Sequence, residues 1–489
     1  MRTITSQQQL DEETPLLPPP QQKKARTPLP WRQFSIILFL QLAEPLTSQV
    51  IAPFAPQLIR DIGITNGDET SVGYYVGLMY SLFFASQALT VLHWSRVSDH
   101  IGRKPVILIG LFGLSFSMYC FGLSRTFSGL VLSRALNGAL NGSVGVVKSM
   151  MVDITDSTNL AQAYAYMPLA WSTGGSIGPL IGGLLSRPVE QFPNVFGHSQ
   201  FLKTYPYFLA CAVPATFSAL AWLMTFLFLR ETVPTRVTLV RFLRGKDTTP
   251  GPVTPTGSTD SLSTEDANGD DCKPLPLRSL LIPRVIIAAG NYAALSLLDI
   301  AFRDVQPLFF ATPLEFGGLG LDPPRIGNIL AIYGVINGLF QILFFADLHD
   351  RFGSKIIYST AMAAGIPMII AFPILNAVAR VQGLSITVWA IVGLQLALSM
   401  LLNLAYACVF IYIAAASPNP ASFGATSGIA QLGVSIVRAI GPASATSAFS
   451  LSIKDPRHAW IVYYYMIALV CIGIFASLFL PRQSWKNHH

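Results

Sequence analysis

A few acidic and basic side chains stand in stretches that are otherwise almost pure hydrocarbon. Glu44 lies in QLAEPLTSQ, Asp299 in SLLDIAFRD with Arg303 one helical turn later and Asp304 beside it, Arg134 in SRALNGALNG, and Arg438 in VSIVRAIGP. Placing such a group within lipid costs about 2.5–3.5 kcal/mol, so it marks a functional pathway by default. Burial disfavours the charged form of a carboxyl, which suits a group that takes up and releases protons near neutrality. Glu44 is the first candidate for that role. Asp299 is the second, although an i,i+4 pair with Arg303 would hold it charged and structural; Asp304, nearer the outer end of its segment, is a weaker one. Arg134 is placed to loosen the proton on a nearby carboxyl, as an opposite charge does. Arg438 suits an anionic group or a carboxylate. Gln41, Asn137, Asn141, Asn291, Gln431, Trp171, Tyr292 and Tyr406 are candidate walls of a substrate cavity, the plainer role of the amides being hydrogen bonds between helices.

These residues need elements to hold them, and composition says which. Of 489 residues 52% are hydrophobic and 12% charged, about half the charge of a soluble domain. A hydrocarbon core of about 30 Å needs about 20 apolar residues per helix, and backbone groups in lipid must pair within their own segment. Twelve such segments can be read: 34–59, 74–94, 105–123, 128–151, 163–185, 206–229, 284–310, 327–346, 355–378, 384–414, 422–450 and 460–480. Residues 231–280, with TTPGPVTPTGSTDSLSTEDANGDD, read as a disordered linker between two sets of six. The expected organisation is a tail over 1–30, a half over 31–230, the linker over 231–280, a half over 281–482 and a short tail over 483–489. Lys23, Lys24, Arg26 and Arg32, then Arg96, Arg103 and Lys104, then Arg230, Arg236, Arg241, Arg244 and Lys246 place both termini in the cytoplasm.

That bias also explains the net charge of +7, so no nucleic-acid partner is expected. The five cysteines, Cys120, Cys211, Cys272, Cys408 and Cys471, show no metal or disulfide spacing, and neither a metal site nor a cofactor is expected. The first residues lack the charged start and apolar core of a cleaved signal peptide. Glu12 to Leu17 fits an acidic dileucine sorting pattern, which leaves plasma and vacuolar membranes both open.

The charged stretch SRVSDHIGRKP, Ser95 to Pro105, has an echo. Ala346 to Lys355 aligns with Ser95 to Lys104 at an offset of 251 residues, pairing Asp99 with Asp350, Gly102 with Gly353 and Lys104 with Lys355. Each copy follows the second segment of its half, and internal repeats of this kind mark secondary transporters. The pattern resembles the G-x-x-x-D-x-x-G-R-K/R loop of the major facilitator superfamily, with Ser95 and Ala346 in place of the first Gly and Ser354 in place of an Arg. Gly174, Gly178, Pro179, Gly182 and Gly183 match the G-x-x-x-G-P-x-x-G-G motif of that superfamily's antiporters. The same stretch contains a formal G-x-S-x-G, but it lies in an apolar helix and not on a strand–turn–helix elbow. No phosphate-binding G-x-x-x-x-G-K-Ser/Thr loop occurs, so neither a hydrolase nor an ATP-driven pump is expected.

The resemblance runs from about 30 to about 482 and is closest to the twelve-span drug:proton antiporters, with likeness to the fungal and plant zinc-induced-facilitator-like members. It implies an all-α membrane protein of two pseudo-symmetric six-helix halves that works by alternating access, most simply as a monomer. Protons would enter as a small organic solute, metabolite or metal chelate leaves; the alternative is an importer or uniporter of a sugar, organic acid or chelate. The resemblance gives the paired loops a gating role, carried by Ser95, Asp99, Gly102, Arg103 and Lys104 and by Asp350, Arg351, Gly353 and Lys355. Asp153 or Asp156 would be the partner of Arg103.

Overall fold

Long apolar runs without a period-two pattern satisfy their backbone groups as helices. The computed structural model describes residues 27–155, 159–232, 277–418 and 423–482, and within them finds helices, short 3-10 turns and no strand. The 1–30 tail up to residue 26, including the dileucine pattern, lies outside the described residues, as do Asp156, Cys272, the linker from 233 to 276 and the tail from 483.

The first segment is interrupted. It forms α1 (Trp31–Gln41), α2 (Ala43–Gln49) and α3 (Ala55–Ile62), because Pro45, Pro53 and Pro56 withdraw donors from a continuous ladder. Next come α4 (Val72–Ile101), α5 (Arg103–Leu123), α6 (Phe127–Leu140), α7 (Ser143–Ile154) and α8 (Leu160–Leu185). The fourth segment is thus also split, at Asn141 and Gly142. Short turns α9 (Pro188–Gln191), α10 (Pro193–Phe196) and α11 (Gln200–Thr204) lead to α12 (Phe208–Phe228).

The second set is α13 (Pro283–Ala311), α14 (Pro323–Gln382), α15 (Ile386–Ala416), α16 (Phe423–Lys454) and α17 (Ile461–Leu478). A straight 60-residue helix would run to roughly 90 Å, three bilayer cores long. It is two spans, because Gly353 leaves helical geometry at φ 75°. Its counterpart Gly102, at φ 106°, parts α4 from α5 at the matching place. Both are left-handed backbone positions that favour glycine. Among the described residues, six helices are long and apolar enough to cross a membrane on composition alone, α14 among them. The interrupted first and fourth segments are not among the six.

Two seams join the sets. Helix α4 packs on α16, and α8 on α14. A Cβ on Gly77 would meet Thr446 Oγ1 at 1.7 Å, and one on Gly183 would meet the Pro323 carbonyl at 2.7 Å. These helices touch backbone to backbone, as small residues allow in lipid.

The seams are one-sided. We call the face bearing the Ser95–Lys104 stretch and its echo the loop face, and the opposite one the far face. Towards the far face one continuous core unites Val50–Ile59 and Val72–Tyr80 with Leu295–Ala311 and Phe449. Towards the loop face the first set has a separate core of its own, built on Phe34, Ile37, Ile107 and Met150. Among the described residues, the core shared by the two sets joins them towards the far face.

Candidate functional site

A connected polar cluster of the interior is anchored on α13. Asp299, 8% exposed, accepts from Arg303 Nε at 2.8 Å with one carboxylate oxygen and from the Tyr406 hydroxyl at 2.9 Å with the other. The i,i+4 spacing on a helix makes the first bond; α15 brings the second. Arg303 also donates through Nη2 to Asn403 Oδ1 at 3.1 Å, and Asn403 Nδ2 donates to the Tyr333 hydroxyl at 3.0 Å. Tyr292 meets Tyr406 edge to face, with ring centroids 6.1 Å apart. Arg438, half-buried on α16, lies close enough for its charge to act on Asp299, Tyr292 and Tyr406. Charge-assisted bonds of this kind are the strong ones. Asp299 is thus fully engaged.

Glu44 opens α2, half-buried, and accepts from Asn141 Nδ2 at 3.2 Å. The break between α6 and α7 is what turns Asn141 towards it. The glycine motif of α8 lies directly behind. Cβ atoms on Gly174, Gly178 and Gly182 would press on Pro45, Gln49 and the Val50 carbonyl, so this ridge seats against the helix of Glu44, while Gly183 faces α14.

Arg134 is only 2% exposed. Its guanidinium lies over the Phe83 ring at 4.7 Å and the Tyr80 ring at 5.7 Å. Among the described residues its Nε, like Asn137 Oδ1, Gln41 Oε1 and Asp304 Oδ2, is buried without a hydrogen-bond partner. Trp171 and Gln431 are half-buried on α8 and α16. Asn291 makes hydrogen bonds between helices, the plainer of the two roles expected of the amides. Its Nδ2 donates to the carbonyls of Ile287 and Ala476, and its own carbonyl accepts from Tyr358, so it ties α13 to α17 and α14.

On the loop face, Arg103 donates from Nη1 to Ser98 Oγ at 2.8 Å and pairs through Nε with Asp153 at 3.4 Å. Thr232 Oγ1 donates to the same Asp153 oxygen at 3.0 Å. Glu231, which motif reading passed over, accepts from the backbone N–H of Arg103 at 2.8 Å and of Lys104 at 2.9 Å. It therefore caps α5 from 128 residues away. Lys104 Nζ donates to the Phe226 carbonyl at 2.8 Å. Ser95 and Asp99 fall in α4, but their side chains lie outside the described residues.

The echo is arranged differently. Lys355 Nζ donates to the carbonyls of Leu478 and Leu480, the counterpart of the Lys104 contact. His349 and Ser354 occupy the positions of Ser98 and Arg103, and bond to each other at 2.8 Å. Asp350 is exposed, 3.8 Å from His349, and Arg351 is exposed as well.

The far face is locked across the two sets. Arg60 pairs with Glu69 at 2.9 Å, and its Nη2 donates to the Ala311 carbonyl at 2.9 Å. Nearby, Arg187 and the Tyr207 hydroxyl both donate to Asp61. The hydrogen bond to the Asp61 carboxylate raises the pKa of Arg187 above its ordinary value. Among the described residues no cluster of three His, Cys, Asp or Glu side chains is placed to hold a metal ion.

The sequence profile described as the Major Facilitator Superfamily matches residues 37–314. The chain belongs to that superfamily. It is 30% identical to the major facilitator-type transporter psiT2 of Psilocybe cyanescens, over 95% of this chain and 93% of the relative. Identity is 29% to ZINC INDUCED FACILITATOR-LIKE 1 of Arabidopsis thaliana (93% and 92% covered) and 28% to the efflux pump azaK of Aspergillus niger (97% and 96%). Among solved structures, a D-xylose–proton symporter shares the fold with a TM-score of 0.64 at 14% identity, over 94% of this chain and 99% of the other. The protein is an integral multi-pass membrane transporter and not an enzyme, and its bundle is the major facilitator fold.

Proposed function

We propose that this superfamily member exports a small organic solute, metabolite or metal chelate in exchange for protons. The loop face and both termini lie in the cytoplasm, on the charge bias of the loops, and the described conformation is the one open to that side. Alternating access then consists of breaking the far-face lock and closing the Arg103 side, as the two halves rock about a central site. The functional unit is a monomer in the plasma or vacuolar membrane. The observation that carries the reading is the seating of Gly174, Gly178 and Gly182 on the helix of Glu44. That ridge ties the superfamily's antiporter motif to a half-buried carboxylate at mid-membrane. An efflux pump among the relatives agrees with export.

Glu44 takes the proton when the site is empty of solute, Arg134 favours its release, and Asp299 with Arg303 holds the cavity's second wall. Asp99, Arg103 and Lys104 with Asp153 gate the cytoplasmic side. The test is flux of a fluorescent quinolone and of a carboxylated dye in proteoliposomes with an imposed pH gradient. Movement against the inward proton gradient is expected, and Glu44→Gln should abolish the gradient's effect while probe-for-probe exchange persists. Movement of the probes with the protons would make the protein an importer, and flux indifferent to the gradient would end the antiport reading.

A further inference from the structure

The α13 helix carries a second carboxylate whose situation differs from that of Asp299. Asp304 lies one residue beyond Arg303, but Arg303 is already committed to Asp299 and Asn403. Asp304 Oδ2 is buried and, among the described residues, accepts no hydrogen bond. Beside it is a small cavity of about 10 Å³, lined by Ala52 and Ala55 of the first segment, Tyr80 of α4, and Arg303, Asp304 and Pro307 of α13. A single water needs roughly 10–15 Å³. Pro307 has no N–H to return to the Arg303 carbonyl, so the wall at this point is polar backbone as well as carboxylate.

The cavity sits on the seam between the halves, towards the far face. Its facing charges can be named. Arg303 and Asp299 share the helix of Asp304, and Arg134 and Tyr80 face it from α6 and α4, close enough for their charges to act on one another. Ala52, Ala55 and Pro56 of the first segment contribute no titratable group. Arg134 in turn is buried with its Nε unpartnered and only aromatic rings beneath it. One acid and one base thus stand in the same dry region, from opposite sides of the α4 wall, without the direct ion pair that Asp299 and Arg303 make. An ionised carboxylate left so would cost several kcal/mol.

Resting on the proton-coupled reading above, we infer that Asp304 is a second proton site, loaded from the far face, with Arg134 as the counter-charge that discharges it. Opening the far seam wets the cavity. One proton passes from a hydronium ion in far-face water to Asp304 Oδ2: an O–H bond of the hydronium breaks as the carboxyl O–H forms, the negative charge is cancelled and a neutral water is left. When the seam closes again, the neutral carboxyl is buried without the cost of an unpaired ion. Discharge follows when rearrangement of the halves brings Arg134 towards the carboxyl: the Asp304 O–H bond breaks, the proton passes to water on the cytoplasmic side as a hydronium ion, and the carboxylate left behind is held by the Arg134 charge. Glu44, at mid-membrane on the other half, then serves the cytoplasmic side.

The test needs no knowledge of the cargo. Purified protein in liposomes is titrated in the infrared, following the stretching band of protonated carboxyls. Asp304→Asn should remove a titrating part of that band, Asp304→Glu should restore it at a shifted frequency, and Glu44→Gln should leave that part in place. Arg134→Gln should displace its titration in the Glu44→Gln background, where Asp304 remains, and should displace nothing once both carboxylates are removed. A band untouched by Asp304→Asn in a folded, monodisperse sample overturns the inference, as does a Glu44→Gln band whose Asp304 part is unmoved by Arg134→Gln. The two readings fail separately, because wild-type flux blind to a pH gradient ends proton coupling, whereas gradient-driven flux with an unchanged band in Asp304→Asn ends only the role of Asp304.

Discussion

The two copies of the loop share one pattern and are tied to the rest of the molecule differently. In the first, Arg103 reaches Ser98 and Asp153, and Glu231 caps the following helix. In the second, Ser354 replaces the arginine and bonds His349, while Asp350 and Arg351 face solvent. A serine keeps a hydrogen bond in both copies, but at opposite ends of the pair, at position 98 in the first and at position 354 in the second. The position matching Glu231 at the 251-residue offset is Arg482, a base instead of an acid. What repeats is the geometry: a left-handed glycine between two helices and a lysine tied to carbonyls at the end of the sixth segment. What does not repeat is the charge. The first copy is a clamp that ties its segment to three others, and the second is a hinge with Asp350 and Arg351 left in water.

Breaking the clamp at Glu231 should have the largest effect. Glu231→Ala removes a charged acceptor from two backbone donors, and a hydrogen bond to a charged group contributes about 1.5–3 kcal/mol. A lower thermal midpoint in detergent is expected, and no change would mean that water replaces the cap without loss. The double variant His349→Ser with Ser354→Arg writes the first copy into the second. Lacking an acidic partner like Asp153, it should shift the midpoint by less than about 1 kcal/mol. A larger gain would show that the second copy has a hidden carboxylate partner. Arg351→Ala, at an exposed site, should stay within about 0.5 kcal/mol of the parent; a larger loss would show that the hinge bears load through that side chain.

The same contrast explains what the sequence could tell. Hydropathy located the spans because lipid imposes it residue by residue, and the glycines of α8 were legible because close packing excludes every larger side chain. Interruptions were harder. A run such as 34–59 reads as one apolar segment, yet its prolines divide it into three helices. The 60-residue run of helix reads as two segments only because charge marks the turn. Glu231 was out of reach, since it acts on backbone donors 128 residues away and nothing in RETVP announces that partner. The contacts of Asn291 were out of reach for a related reason. A polar residue in a span is visible, but the direction in which it points depends on helix rotation, which one sequence does not encode. The difference between Asp299 and Asp304 was partly visible in the i,i+4 spacing to Arg303; the empty space beside Asp304 was not.

The far-face lock has a geometric consequence. Arg60 and Ala311 are 251 residues apart, the same offset that relates the two loops, so the bond joins equivalent points of the two halves. In a molecule with a pseudo-two-fold axis along the membrane normal, a line between equivalent points crosses that axis at right angles. Outward displacements of the two halves then add along it without loss. From 2.9 Å, a separation of about 0.3 Å per half takes the contact past the ~3.5 Å at which a hydrogen bond ceases to exist. Arg60 is therefore a strain gauge across the far seam, and a spectroscopic label pair there would read a parting of the halves on that side.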